Sequence, residues 1–211
     1  MLFINTVTPE TYRLLKQIQS LPEFAEMQLV GGTALALQLG HRISVDLDFF
    51  GKWDYEIDLQ TILSPCGDVE KVSATPSGKM AFFYIDGVKV DFVSYELYPW
   101  LSPPIEHEGV RLASIKDIAA MKINAITNRG TRKDFVDLVQ LLKVHSLREM
   151  IAWYQEKYPK ANPTLAIRSL SYFVDAETMP LPKMLIPFDW EQAKATICDA
   201  VREFTLQHKS I

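Results

Sequence analysis

A pair of glycines at the end of a short hydrophobic segment constrains the fold of this chain more than any other feature. Leu29-Val30 predicts a strand and Gly31-Gly32 predicts a tight turn. The good helix formers from Thr33 to Leu39 predict a short helix that stops at Gly40. A glycine turn that opens a helix leaves main-chain amides near the positive end of the helix dipole, where phosphate groups bind well. The segment therefore predicts a phosphate-binding strand, turn and helix.

An alternation of acidic and apolar residues, Asp46-Leu47-Asp48-Phe49, follows the glycine pair after thirteen residues. We expect a strand over residues 44–50, on which side chains two apart project from the same face. Asp46 and Asp48 would then present two carboxylates side by side. Such carboxylates repel each other unless a cation neutralises them, and Mg²⁺ is commonly held by one or two carboxylates plus substrate phosphates. The alternative for so short a motif is a solvated strand edge or a turn.

Periodicity in the rest of the chain predicts an α+β protein. Strand signals end before three closely spaced prolines, Pro99, Pro103 and Pro104, and residues beyond Ser114 have helical periodicity. We expect one lobe over residues 1–105, with a mixed or antiparallel sheet flanked by helices, and a helical lobe over residues 106–211 that completes a cleft with it. The predicted strands are 29–30, 44–50, 69–73, 79–85 and 88–94, and the predicted helices are 8–21, 33–39, 57–63, 114–128, 132–144, 147–157 and 189–204.

The spacing of the glycine pair and the acidic segment resembles the signature of the polymerase-beta-type nucleotidyltransferase superfamily. The longer strings Gly31 to Leu37 and Gly40 to Phe50 are more specifically similar to the AbiEii/AbiGii toxin family. The resemblance implies transfer of a nucleoside monophosphate from a nucleoside triphosphate to an acceptor hydroxyl, with two Mg²⁺ ions. It also implies a toxin of a toxin–antitoxin or abortive-infection system, an RNA acceptor similar to tRNA, and an antitoxin protein as partner.

A third carboxylate is implied by the superfamily resemblance and falls on Asp91. The segment from Lys89 to Val93 alternates as a strand, with Val90 and Phe92 on one face and Lys89 and Asp91 on the other. Asp46, Asp48 and Asp91 are therefore the expected catalytic and metal-binding acids. Without the resemblance, Asp91 beside a lysine would be interpreted as half of a cross-strand ion pair.

Residues that contact the nucleotide phosphates are expected around the glycine turn. Besides Gly31 and Gly32, the hydroxyls of Thr33 and Ser44 and the guanidinium of Arg42 are candidates. His41 lies in the same string, but a single histidine before an acidic strand is usually a packing or hydrogen-bonded residue.

The helical half supplies a lysine and another aspartate. Lys122 falls in the centre of the apolar stripe of the helix that Ser114 caps, so it either extends its ammonium out of the stripe to solvent or reaches into the cleft to hold triphosphate oxygens. The toxin family has a comparable lysine helix followed by a segment similar to Arg129 to Leu138 here. That resemblance implies functional roles for Lys122 and Asp134. Asp137 has a second interpretation as an exposed acid near a helix N-terminus.

Charge and composition bear on the partners. The formal net charge of −4 provides no overall attraction for nucleic acid, so an RNA partner needs a local basic patch. Cys66 and Cys198 suggest neither a disulfide framework nor a zinc site, and a signal or membrane segment is not indicated, so we expect a cytoplasmic protein without a membrane partner.

Two alternatives stay open: a nucleotidyltransferase with a small-molecule acceptor, as in antibiotic modification, and a noncatalytic nucleotide-binding regulatory module. The candidate basic patch for RNA consists of Arg129, Arg132, Lys133, Lys143 and Arg148, and the alternative is that these residues form a solvated helical face.

Overall fold

The computed structural model describes residues 1–53 and 57–208, apart from the side chain of residue 208, and these residues form two units. The first unit contains Met1–Pro99 and Pro103–Ala113, and the second contains Trp100–Ser102 and the chain from Ser114 onward. The first unit is α+β and the second is helical, so the predicted fold class is confirmed.

A mixed seven-stranded sheet forms the centre of the first unit, counting the strands of the described residues. The strands are β1 (Met27–Leu29), β2 (Leu47–Gly51), β3 (Val69–Ala74), β4 (Met80–Ile85), β5 (Val88–Ser94), β6 (Ile105–His107) and β7 (Val110–Leu112). Their order in the sheet is β3-β4-β5-β2-β1-β7-β6. The neighbouring pairs β2/β5 and β1/β7 are parallel, and the other neighbours are antiparallel.

The hairpin of β6 and β7 was not among the predicted elements. Each of its strands has only three residues, too few to display an alternating pattern. The Glu108-Gly109 turn between them was the available signal, because both residues adopt the positive φ angles that a tight hairpin requires. The hairpin belongs to the first unit, which therefore continues past residue 105 to Ala113.

The two faces of the central strands differ in burial. Leu47 and Phe49 of β2 are completely buried, and Asp48 between them is half-buried. Phe92 of β5 is also completely buried, and Asp91 before it is half-buried. The Phe92 ring stacks on Phe24 at a centroid distance of 4.8 Å and on Phe49 at 5.4 Å. Because side chains alternate along a strand, this aromatic core turns the neighbouring acidic residues to the opposite, open face.

Among the described residues of the first unit, three α-helices lie alongside the sheet. The helix α1 (Pro9–Ser20) begins where the Thr8 side chain accepts a hydrogen bond from the main-chain N–H of Thr11. It packs its apolar stripe into the core, with Leu15 and Ile18 completely buried. The other two are α2 (Gly31–Leu39), which ends at Gly40 as predicted, and α3 (Leu59–Leu63).

The second unit consists of helices. Ser114 caps the first of them, and Ser146 forms a capping box with Glu149 at another. The helices are α4 (Ile115–Asn128), α5 (Arg132–Leu142), α6 (Leu147–Lys157), α7 (Pro163–Ser169), α8 (Val174–Glu177) and α9 (Trp190–His208). The short helices α7 and α8 were not among the predicted elements, because each is too brief for a helical repeat to be visible.

A buried ion pair explains why Trp100–Ser102 belongs to the helical unit. The Lys157 ammonium lies 2.7 Å from Asp117 Oδ1, and both side chains are completely buried. The same carboxylate oxygen accepts the main-chain N–H of Leu101 at 2.9 Å. The ammonium also lies 4.6 Å from the centre of the Trp100 ring. These contacts attach the segment to α4 and α6.

Among the described residues, no helix has both the length and the hydropathy that a membrane span requires.

Candidate active site

The predicted glycine turn brings α2 against a carboxylate. Gly31 begins α2 with φ of +68°, in the left-handed region, and a Cβ atom there would lie 2.6 Å from Asp48 Oδ2. The Val30 N–H also donates to the Asp48 carbonyl at 2.8 Å. Backbone conformation and space therefore both require glycine at position 31. The first amides of α2 and the Asp48 carboxylate lie side by side.

The second glycine approaches two of the predicted phosphate-binding side chains. A Cβ atom on Gly32 would collide with the Arg42 guanidinium and would lie 3.5 Å from Ser44 Oγ. Arg42 is 3% exposed and donates from Nη1 to the Ile43 carbonyl. The buried Thr33 hydroxyl donates to the carbonyl of Asp46 and lies 2.8 Å from Ser44 Oγ. Thr33, Arg42 and Ser44 thus form a polar layer beneath the turn, and their contact with phosphate stays a prediction.

Asp46 lies outside the strand on which it was expected. The strand β2 begins at Leu47, because the residues before it bond elsewhere instead of joining the ladder. The Ser44 N–H donates to the Thr6 carbonyl, and the Asp46 carbonyl accepts from Thr33. The expected strand start at residue 44 was therefore wrong, although Asp46 still directly precedes β2.

Asp48 and Asp91 are direct neighbours across the sheet. Parallel pairing of β2 with β5 sets Asp48 opposite Asp91, and both project from the open face. The Asp91 side chain is 13% exposed. Its Oδ1 atom is buried and has no hydrogen-bond partner among the described residues. A buried carboxylate oxygen without a partner is costly, so this atom is a natural ligand for a cation or a hydroxyl.

Lys89 joins this acidic group from the same strand. Its ammonium lies 2.5 Å from Asp91 Oδ2. Burial lowers the pKa of Lys89, but the hydrogen bond and charge of Asp91 and the charges of Asp48 and Asp46 outweigh this effect, and the pKa is raised overall. The negative charges of all three predicted acids therefore act on the Lys89 ammonium. The sequence alone indicates only a structural ion pair of Lys89 with Asp91, and the signal for a place in the site is the position of Lys89 two residues before that acid on the same face of β5.

The donor set suits Mg²⁺ in one respect and is incomplete in another. Asp48 and Asp91 supply paired carboxylates, including one unsatisfied oxygen, and Mg²⁺ is commonly completed by substrate phosphates. Across the described stretches 1–53 and 57–208, however, the side chains of three or more acids, histidines or cysteines do not converge as a ready-made metal group. The fit therefore rests on the neighbouring pair, and the metal role of Asp46 stays a prediction.

The predicted lysine and aspartates of the helical unit form a buried cluster. Lys122 is 5% exposed, and its ammonium lies 2.9 Å from Asp134 Oδ1 and 2.6 Å from Asp137 Oδ2. Both aspartates are completely buried. The interpretation that Lys122 extends its ammonium to solvent is therefore wrong. The interpretation of Asp137 as an exposed acid is also wrong. Asp137 lies one turn beyond Asp134 on the same buried side of α5.

Opposing effects act on Asp134. Burial raises its pKa, but the Lys122 charge, hydrogen bonds from Thr131 and Lys122, and the Arg129 charge lower it more, so the pKa lies below its ordinary value. The cluster therefore holds an ionised Asp134.

One residue of the candidate basic patch, Arg132, interacts with other residues of the helical unit. Arg132 donates to the Glu177 carbonyl at 2.8 Å, and its guanidinium lies 4.8 Å from the centre of the Trp190 ring. Its side chain is 16% exposed. Arg129, at 63%, is much more accessible. The sequence does not distinguish the accessibility of these two arginines, because Arg129 lies just before α5 and Arg132 begins it.

Comparison with known proteins agrees with this architecture. An uncharacterised protein of Aquifex aeolicus (strain VF5) is 33% identical over 200 residues, which cover 92% of this chain and 96% of that protein. The crystal structure of JHP933 from Helicobacter pylori matches with a TM-score of 0.58 and 22% identity, over 95% of this chain and 92% of that one.

The fold of MenT4, a nucleotidyltransferase toxin from Mycobacterium tuberculosis H37Rv, is also similar. It matches with a TM-score of 0.51 and 14% identity, over 92% of this chain and 84% of that one. The family described as nucleotidyl transferase AbiEii toxin, type IV toxin–antitoxin system, matches residues 13–203, which include the glycine turn, the paired carboxylates and the Lys122 cluster. The chain therefore belongs to the AbiEii family of nucleotidyltransferase toxins.

Proposed function

We propose that this nucleotidyltransferase transfers a nucleoside monophosphate from a nucleoside triphosphate to an acceptor hydroxyl of RNA, in a reaction that depends on Mg²⁺. The observation that carries the proposal is the contact of Gly31 with Asp48, together with the pairing of Asp48 and Asp91. Phosphate-binding amides and the carboxylates of a nucleotidyl-transfer site are thereby adjacent. In the cell, the protein acts in the cytoplasm as the toxin of a toxin–antitoxin pair, and an antitoxin protein is its partner.

The triphosphate binds at the start of α2. Gly31 and Gly32 are half-exposed, and the first amides of a helix lack acceptors within the helix, so they are available to phosphate oxygens. The guanidinium of Arg42, under Gly32, adds positive charge to this end of the site. Asp46 and Asp48, with Asp91 across the sheet from Asp48, would hold Mg²⁺, which would neutralise the negative charge of the phosphates. In the helical unit, Lys122 and Asp134 are the residues to which we assign a role in the reaction.

Asp91 orients the acceptor. Its unsatisfied Oδ1 accepts the proton of the attacking hydroxyl, and the hydroxyl oxygen forms a new bond with the α-phosphorus. The bond between that phosphorus and the oxygen bridging to the β-phosphate breaks, and pyrophosphate leaves. An in-line geometry places the entering oxygen opposite the leaving one.

The proposal is tested by incubating the protein with Mg²⁺, total bacterial RNA and each α-labelled nucleoside triphosphate in turn. We expect one or more nucleotides to label RNA with stoichiometric release of pyrophosphate. The Asp48→Asn variant is the inactive control, and chelation of Mg²⁺ is expected to stop the reaction. Pyrophosphate release that requires a small hydroxyl compound instead of RNA would favour the small-molecule alternative, and nucleotide binding without any turnover would favour a regulatory module.

A further inference from the structure

The open face of the sheet continues beyond the carboxylates as an aromatic surface. Antiparallel pairing of β4 with β5 sets Phe82 opposite Asp91 and Tyr84 opposite Lys89. Neighbouring strands lie about 5 Å apart, so each ring is adjacent to a charged residue of the site. Phe82 is half-buried and Tyr84 is 40% exposed, whereas Phe83 between them is buried in the core. Two accessible rings therefore flank the acids on the side of β4.

The strand order gives this surface a direction. Across the sheet, β1 leads into the glycine turn, β2 carries Asp48, β5 carries Asp91 and β4 carries the two rings. The donor phosphates belong on the glycine side, since that is where the amides of α2 meet Asp48. In-line attack requires the acceptor to approach the α-phosphorus from the side opposite the leaving pyrophosphate. The acceptor must therefore approach over β5 and β4.

We infer that Phe82 and Tyr84 form a stacking platform for the last bases of a single-stranded RNA acceptor, with Lys89 beside its phosphates. The inference rests on the proposed function and adds the site at which the acceptor binds. Aromatic side chains next to a cation are the usual means of holding single-stranded nucleic acid without reading its sequence. A flat π-face on an accessible strand suits a base better than it suits an aliphatic or sugar acceptor.

Charge limits the extent of the platform. Lys89 is 41% exposed and adjoins Tyr84, so it can face a phosphate while it stays near Asp91. On the outer side, Glu70 of β3 pairs with Tyr84 and is exposed. A carboxylate there repels the RNA backbone, so the strand must leave the sheet at Tyr84. The platform accommodates one or two bases, which matches an acceptor end and not a long tract.

The lead experiment compares Tyr84→Leu with Tyr84→Phe, which keeps the ring. Tyr98→Leu is the matched control, because Tyr98 is another tyrosine with 40% exposure and lies outside the platform. Affinity is measured by fluorescence anisotropy with a labelled short single-stranded RNA that ends in a free 3′-hydroxyl. We expect Tyr84→Leu to weaken RNA binding about 5- to 150-fold, and the other two variants to bind as the unmodified protein does. The KM for the nucleoside triphosphate is expected to stay unchanged in all three.

Failure of this inference is distinguishable from failure of the proposed function. If the unmodified protein labels RNA but Tyr84→Leu binds RNA normally, or if its triphosphate KM rises instead, the platform is wrong and nucleotidyl transfer stands. The platform also falls if the protein binds no RNA oligonucleotide and modifies a small molecule. RNA binding that depends on the Tyr84 ring, in a protein that transfers no nucleotide, would support the platform and overturn the proposed reaction.

Discussion

Asp48 and Asp91 lie opposite each other on the parallel strands β2 and β5, far apart in sequence but adjacent on the open face of the sheet. The Phe49 and Phe92 rings that follow them stack on the buried face at 5.4 Å. Each acid is thus oriented by the aromatic residue after it, because successive side chains of a strand point to opposite faces. The core packing and the carboxylate pair are two consequences of a single register.

Replacing Asp48 with asparagine is expected to abolish nucleotidyl transfer. The change removes charge that Mg²⁺ requires but preserves the volume of the side chain, so the midpoint of thermal unfolding should change little. Activity is measured as labelled RNA and released pyrophosphate, and the fold by circular dichroism. Glu23→Gln, at an exposed position, is the control and should keep full activity. Substantial turnover by the Asp48→Asn variant would remove Asp48 from the metal site.

Replacing Gly31 with alanine is expected to inactivate the protein and to destabilise it. A side chain at φ of +68° costs roughly 1–3 kcal/mol, and its Cβ must in addition displace the Asp48 carboxylate. Gly109→Ala is a matched control, since Gly109 has φ of +80° and a Cβ there meets nothing within 4 Å. Both variants should lose free energy of unfolding in urea, with the larger loss in Gly31→Ala because only its Cβ meets Asp48, and only Gly31→Ala should lose activity. Equal activity in the two variants would show that contact with Asp48 is not functional.

The sequence was sufficient to predict the parts of the fold that depend on local signals. The glycine stop at residue 40 and the Ser114 cap have short-range chemical causes, and both are confirmed. The side of the sheet on which Asp91 lies also followed from alternation. The start of β2 did not, because the residues before it are held by Thr6 and Thr33, which are distant in sequence.

Long-range pairing also limited what could be predicted about the site. Lys122 was recognised as unusual from its place in an apolar stripe, but its two carboxylate partners depend on how α5 packs on α4. The adjacency of Phe82 to Asp91 has a more local cause, because the two-residue turn at Asp86-Gly87 fixes the register of β4 against β5. Local patterns identified the charged residues, and only the tertiary structure determined their partners.

Replacing Lys122 with methionine is expected to destabilise the protein by about 3–5 kcal/mol. Methionine keeps the alkyl packing of the lysine, but removal of the ammonium leaves Asp134 and Asp137 as buried carboxylates without their shared cation. Chemical unfolding measures the loss. Adding Asp137→Asn to Lys122→Met should recover part of it, whereas no recovery would show that the two aspartates are not coupled through Lys122.

Replacing Asp134 with asparagine is expected to change how stability depends on pH. The pKa of Asp134 is lowered in the folded protein, because the Lys122 charge and the hydrogen bonds outweigh the effect of burial. A carboxyl group with a lowered folded pKa stabilises the protein above its unfolded pKa of about 3.9, and this contribution is lost as the pH falls toward the folded value. The variant should therefore be about 1–3 kcal/mol less stable than the unmodified protein at pH 7, and the difference should shrink below about pH 4.

Urea unfolding at a series of pH values tests this expectation, with Asp199→Asn as the control. Asp199 is 64% exposed and pairs with Arg202 on the surface of α9, so its replacement should change the free energy of unfolding by no more than about 0.5 kcal/mol across the series. A difference between the Asp134→Asn variant and the unmodified protein that stays constant from pH 7 to pH 3 would mean that the carboxylate charge contributes nothing. The Asp134 side chain would then act only through its shape and hydrogen bonds, and the ion pair with Lys122 would have no net stabilising role.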